Sequence, residues 1–188
     1  MRQLPTEKRA LILELLVEGN SMRSTSRLAK VSINTVSKLL VEAGEACAAY
    51  HDESVRNVTA KKVQCDEIWS FDYAKDKNVK TAKAAPDGAG DVWTWTALDS
   101  DSKMILSYEV GDRSAATAIE FMDDLRARLA NRVQLTTDGH KAYLEAVEGA
   151  FGGDVDFAQL IKLYGETPGN KRHEKKYSPA ECTGIKKR

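Results

Sequence analysis

Apolar positions recur at helical spacing through the first fifty residues and at alternating spacing after them. Leu11, Ile12, Leu15 and Leu16 follow a polar start at Thr6 and Glu7, and Gly19 with Asn20 stops the run. A second short helix is expected over about 21–29. Ser32 is a suitable N-cap for a third, from 33 to about 44, because its hydroxyl oxygen can accept an orphan N–H of the first turn. In that helix Ile33, Val36, Leu39 and Leu40 form the apolar face, and Asn34, Thr35, Ser37 and Lys38 are left on the other side.

Residues 50–62 are polar and without a clear period, and read as a linker. The period then changes to two. Stretches 63–74 (VQCDEIWSFDYA), 91–99 (DVWTWTALD) and 103–110 (KMILSYEV) alternate as strands do, with an Asp- and Ser-rich turn over 99–102. An amphipathic helix over 114–130 starts at a capping Ser114 and carries Ala118, Phe121, Leu125 and Leu129 on its core face. A short strand over 132–137, a helix over 140–150 and a strand over 154–163 complete the pattern. From 165 on the chain is polar and basic with Pro and Gly, and reads as irregular. Three helices, then β-β-β-α-β-α-β, is an α/β chain. Three consecutive strands before an alternating run match the element order of the RNase H-like mixed sheet, since hairpin pairing and right-handed crossovers leave few alternatives. The expected organisation is a helical domain at 1–49, the linker 50–62, a sheet domain at 63–164 and a basic tail at 165–188.

Composition narrows the class. An apolar share of 42% with 30% charged residues suits a globular protein, and no apolar run is long enough for a membrane span. The polar start MRQLPTEKRA has no secretory core, so a cytoplasmic, nucleoid-associated location is expected. Cys47, Cys65 and Cys182 are odd in number and far apart, which fits free thiols better than a disulfide framework or a zinc site. The zero net charge hides an uneven distribution. Residues 1–65 hold 10 Lys/Arg against 7 Asp/Glu, residues 66–164 hold 11 against 18, and residues 165–188 hold 7 against 3. A basic head and tail suit phosphate, whereas the acidic middle repels it unless cations are bound there.

The segment SMRSTSRLAKVSINTVSKLLVEAG resembles a helix-turn-helix. Its third helix would enter the major groove, with Asn34, Thr35 and Lys38 at base edges and Arg23, Arg27 and Lys30 at phosphates. The competing reading is a small helical dimerisation bundle. In the sheet domain, Asp66 lies in the first strand and Asp138 ends the fourth, followed by Gly139. Phosphodiester chemistry on two divalent ions needs carboxylates on adjacent strands, close enough to share a metal. Alternation would turn Glu67 to the opposite face from Asp66, which leaves Glu67 out of the metal site. His140 either touches a phosphate or a metal-bound water or is a structural or solvated residue after the turn. Trp69, Trp93 and Trp95 are either core residues or base-stacking rings. The basic tail, from Lys171 and Arg172 to Lys187 and Arg188, either tracks a DNA backbone or is a solvated end.

The phrases CDEIWSFDYAKDK, TWTALDSDSKMILSYEVGDR and FMDDLRARLANRVQLTTDGHKAYLEAVEGAFG resemble a family of short bacterial insertion-sequence transposases, with the likeness running through nearly the whole chain. The resemblance implies a DDE triad with Asp66 as first and Asp138 as second acid. It further implies magnesium of the two-metal type, double-stranded DNA (terminal inverted repeats and a target) as partner, and a homo-oligomer in the active complex. The family's third acid, a Glu on a later helix, has no good match. Glu166, Glu174 and Glu181 remain, and Glu174 has the spacing of the retroviral-integrase type but no apolar face around it. The expectation is therefore an RNase H-like domain incomplete at its C-terminus, in a chain that binds DNA without cutting it. The alternative is a DNA-binding repressor or regulatory remnant.

Overall fold

A computed structural model describes residues 4–165 and 182–187, and its elements fall into two units, Met1–Ser54 and Val55–Arg188. The first unit holds α1 (Thr6–Val17), α2 (Met22–Ala29) and α3 (Ile33–Ser54). Ser21 caps α2 by accepting the Ser24 N–H at 3.2 Å, and Ser32 accepts the Thr35 N–H at 3.1 Å. Lys30 ends α2 in the left-handed region at φ 54°. The small core is Ile12, Ala29, Val36 and Leu39. Ile33 and Leu40, expected on the same face, are exposed.

The third helix runs ten residues past the end expected at Gly44. A glycine inside a helix costs about 1 kcal/mol, but Glu45, Ala46, Ala48 and Ala49 are strong helix formers and carry it on. The expected linker therefore does not exist as a separate segment. Residues 50–54 are helical, and Val58 and Ala60 join the second unit. Val58 exchanges backbone hydrogen bonds with Arg128 and Ala130, both at 2.9 Å, and Asn131 bonds both backbone groups of buried Ala60.

The second unit is a six-stranded mixed sheet in the order β3-β2-β1-β4-β5-β6. Its strands are β1 (Lys62–Asp72), β2 (Gly90–Asp99), β3 (Ile105–Gly111), β4 (Gln134–Thr137), β5 (Asp156–Tyr164) and β6 (Cys182–Lys187). The first three are antiparallel neighbours, β4 and β5 run parallel to β1, and β6 returns antiparallel to β5. A one-turn helix, α4 (Asp76–Val79), lies between β1 and β2. Helices α5 (Ala115–Arg128) and α6 (Ala142–Phe151) follow β3 and β4. Ser114 caps α5 as expected, accepting the Thr117 N–H at 3.3 Å.

One core binds the helices to the sheet. Ala118, Phe121, Met122 and Leu125 of α5 and Tyr143, Ala146 and Val147 of α6 pack with Val63, Cys65, Trp95, Ala97, Leu106 and Leu135. Tail residues Cys182–Lys187 are strand rather than irregular, because the open edge of β5 offers them a ladder to join. Glu166, Glu174 and Glu181 lie outside the described residues, as do Lys171, Arg172, Lys175, Lys176 and Arg188. Among the described residues no helix is long and apolar enough to cross a membrane. Cys47, Cys65 and Cys182 are all free thiols.

Candidate functional site

The parallel pairing of β1 with β4 sets Gln64 opposite Thr136. Two residues further along each chain are Asp66 and Asp138, so the two acids expected from the sequence stand side by side where β4 ends. They line a groove of about 630 Å³ with Arg113, His140, Lys141 and Lys162.

Glu67 joins them. One ligand oxygen from each of Asp66, Glu67 and Asp138 lies within 4.8 Å of the others. The sequence reading excluded Glu67 because alternation puts it on the other face from Asp66. Alternation separates the Cβ atoms but not the carboxylates: Asp66 Oδ1 turns back to accept the Glu67 N–H at 2.9 Å, and Asp138 lies past the last paired residue of β4. The Glu67 side chain is 1% exposed, and its Oε1 is buried with no hydrogen-bond partner. The buried Tyr143 hydroxyl, which has no other partner, is the donor nearest to this carboxylate and offsets part of the cost of burying it.

Its other oxygen is bound by Arg113, which the sequence reading did not single out. Oε2 of Glu67 accepts from Arg113 Nε at 3.1 Å and Nη2 at 2.9 Å, and Nη2 is 3.6 Å from Asp138 Oδ2. The guanidinium also lies over the Trp93 ring, 4.7 Å from its centroid. The turn that carries Arg113 is well anchored. The Ser114 hydroxyl, the Thr117 hydroxyl and the Ser114 N–H, all directed at the Asp112 carboxyl, hold it below the usual carboxylate range. The Asp112 carbonyl accepts from the Trp95 indole at 3.0 Å. Nothing in the local sequence around Arg113 announces this role, which exists only when the β3–α5 turn lies beside β1.

Asp138 is positioned from its own turn and from β5. Its Oδ1 accepts the His140 N–H at 2.8 Å. Buried Gln159 donates to the carbonyls of both Asp138 and His140, at 3.0 and 3.1 Å. Gly139 has no left-handed φ; its requirement is clearance, since a Cβ there would come within 3.1 Å of Ile161 Cγ1. The His140 ring packs edge-on against Trp95 and Tyr143, and its Nδ1 is buried without a partner. Beneath the cluster, burial raises the pKa of the Tyr143 hydroxyl and of the Cys65 thiol. Glu67 adds to both shifts, so both groups stay protonated against the carboxylates.

The three tryptophans divide. Trp95 is fully buried, Trp93 is half-buried under Arg113, and Trp69 is exposed. In the helical unit Arg23, Arg27, Lys30, Asn34 and Lys38 are exposed. Lys38 pairs with Glu42 at 3.8 Å. Thr35 is half-buried, and its hydroxyl lies 2.8 Å from that of Ser32.

Compared with known proteins, the chain matches no family model and no curated sequence.

Proposed function

We propose that this chain is a DNA-transposition protein. Its helical unit would act as a helix-turn-helix on terminal inverted repeats. Its sheet unit would be an RNase H-like domain for metal-dependent phosphodiester cleavage and strand transfer. The observation that carries the reading is the cluster of Asp66, Glu67 and Asp138, with its buried, unpartnered Glu67 Oε1, at the open end of two adjacent strands. Sheet order, with three antiparallel strands flanked by two parallel ones, supports the RNase H-like assignment.

The donor set fits a magnesium ion, since hard divalent cations prefer carboxylate oxygens. When bound, the metal supplies Lewis-acid activation of water or a 3′-hydroxyl and neutralises charge on the scissile phosphate. The protein's own groups do the rest. Asp66 and Asp138 hold the mouth of the groove, Gln159 keeps the Asp138 turn in place, and Lys141 and Lys162 attract the phosphate backbone. Arg113 already lies across two of the three acids, so in the metal-free protein it supplies the compensating charge. That same contact supports the second reading, a DNA-binding regulator with a neutralised acidic site.

Calorimetric titration with Mn²⁺ tests the metal site. The wild type is expected to bind saturably, and Asp66→Asn, Glu67→Gln and Asp138→Asn each to weaken binding at least about ten-fold. No saturable binding by wild type would reject the metal reading and leave the regulator. For the helical unit, Lys38→Ala is expected to weaken binding to a repeat-bearing duplex by about 1 to 3 kcal/mol and to leave binding to an unrelated duplex unchanged. Equal affinity of both proteins for the repeat-bearing duplex would reject the assigned role of Lys38.

A further inference from the structure

Beyond Glu67 the first strand continues past the cover of the helices. Trp69 and Phe71 follow at the two next positions on the same face, about 7 and 13 Å along the strand. Their rings are 39% and 47% exposed and lie 5.7 Å apart with a 37° tilt. Large exposed aromatic rings side by side on a strand are unusual surface unless they meet something. What occupies them here is a cation: Lys75 Nζ sits 4.5 Å from the Trp69 ring centroid and 5.9 Å from that of Phe71.

The connection that brings Lys75 back is built rather than loose. Tyr73 turns the chain off the strand with φ 59°, a conformation that is strained for an aromatic residue, and its hydroxyl donates to the Lys83 carbonyl. Asp76 and Asp91 close the loop by exchanging backbone-to-carboxylate hydrogen bonds at 3.2 and 2.7 Å. Within the acidic sheet unit this connection is a basic island. Residues 73–89 hold four lysines, Lys75, Lys77, Lys80 and Lys83, against Asp76 and Asp87, and the last three lysines are exposed.

We propose that Trp69 and Phe71 form a stacking platform for unpaired bases of a DNA strand, with the lysines of the β1–β2 connection on its phosphates and its end directed along β1 to the acidic cluster. Exposed rings beside exposed cations suit a single strand, whose bases offer free π faces. A duplex hides those faces within its stack. Lys75 marks the place of the first base. A base face replaces the ammonium on the rings, and the freed ammonium reaches the adjoining phosphate. Placing the strand end rests on the metal-site reading above; the stacking does not.

The test uses the full chain, kept metal-free with chelator, and a short oligodeoxythymidylate, which neither self-pairs nor needs base-specific contacts. Binding is followed by fluorescence anisotropy and by quenching of tryptophan emission. Wild type is expected to bind with quenching. Trp69→Ala should weaken the affinity about ten-fold, and Trp69→Phe, which retains a ring, should keep most of it. Blunt duplex affinity should be the same in all three. Mn²⁺ titration of Trp69→Ala should match that of wild type, so loss of the platform and loss of the metal site are read separately. Equal oligonucleotide affinity in wild type and Trp69→Ala, with the variant's circular dichroism unchanged, overturns the proposal. So does a Trp69→Ala effect confined to self-association in sedimentation, which would make these rings a contact between copies.

Discussion

Arg113 directs two of its nitrogens at a single oxygen of Glu67, Oε2, at 3.1 and 2.9 Å, and leaves Glu67 Oε1 buried and without a partner. The carboxylate is thus half satisfied. Its charge is balanced by the guanidinium, and one of its oxygens lies within 4.8 Å of an oxygen of Asp66 and of Asp138. A chain that needed only a structural ion pair here would gain by satisfying both oxygens.

Arg113→Ala follows from that contact. The variant leaves a carboxylate with a 1% exposed side chain unpaired among other acids, and stability is expected to fall by about 2 to 4 kcal/mol, as for loss of one partner of a buried pair. A divalent cation should then replace the missing charge, so the rise in melting temperature on adding Mn²⁺ should exceed that of wild type. Equal Mn²⁺ shifts in the two proteins would show that Arg113 and the metal do not share the site.

Gln159→Leu tests the support beneath Asp138. The amide donates to two carbonyls of the 138–140 turn from a buried position. Removing it leaves the Asp138 carbonyl to the Thr137 hydroxyl alone and the His140 carbonyl to the Tyr143 N–H alone, at a cost of about 0.5 to 1.5 kcal/mol for each bond lost. Urea denaturation should record that loss, and Mn²⁺ affinity should fall although no ligand has changed. Unaltered Mn²⁺ affinity in a destabilised variant would reduce Gln159 to a purely structural residue.

The acid side of the stability profile should depend on Asp124. Burial by itself would raise the pKa of this carboxyl, but hydrogen bonds from Arg128 at 2.6 Å and Ser107 at 2.5 Å, with the Arg128 charge, bring it below the ordinary value. A folded-state pKa below the unfolded one means that the ionised form stabilises the fold above the unfolded value, about 3.9. That contribution disappears as pH falls through the folded value. Asp124→Asn is expected to cost about 1 to 3 kcal/mol near neutral pH, with the gap from wild type closing below about pH 4. Urea melts at neutral and acid pH measure this; a gap independent of pH would mean that the charge of Asp124 is not what stabilises the α5–β3 contact.

Much of the fold was legible in the chain. Ser21, Ser32 and Ser114 stand where helices begin, because a hydroxyl before an apolar run satisfies N–H groups that the helix itself cannot. Strand alternation located β1 and β2, and the core face of α5 was readable from Ala118, Phe121 and Leu125. Where the reading missed, a neighbour distant in sequence had decided the outcome. Val58 and Ala60 looked like linker because their partners, Arg128, Ala130 and Asn131, lie seventy residues away. Cys182–Lys187 looked irregular because its ladder is supplied by the edge of β5.

The candidate site divides in the same way. Asp66 and Asp138 were identifiable from the sequence alone, since a strand position and a strand end are local properties, and element order makes those two strands adjacent. Glu67 and Arg113 were not. Alternation along one strand argues against Glu67, and only the end of β4 together with the β3–α5 turn brings its carboxylate to the cluster. Local pattern alone sets which backbone each acid stands on. Tertiary structure decided which of the charges meet, because Coulomb interaction and hydrogen bonding act over a few ångströms in space and not along the chain.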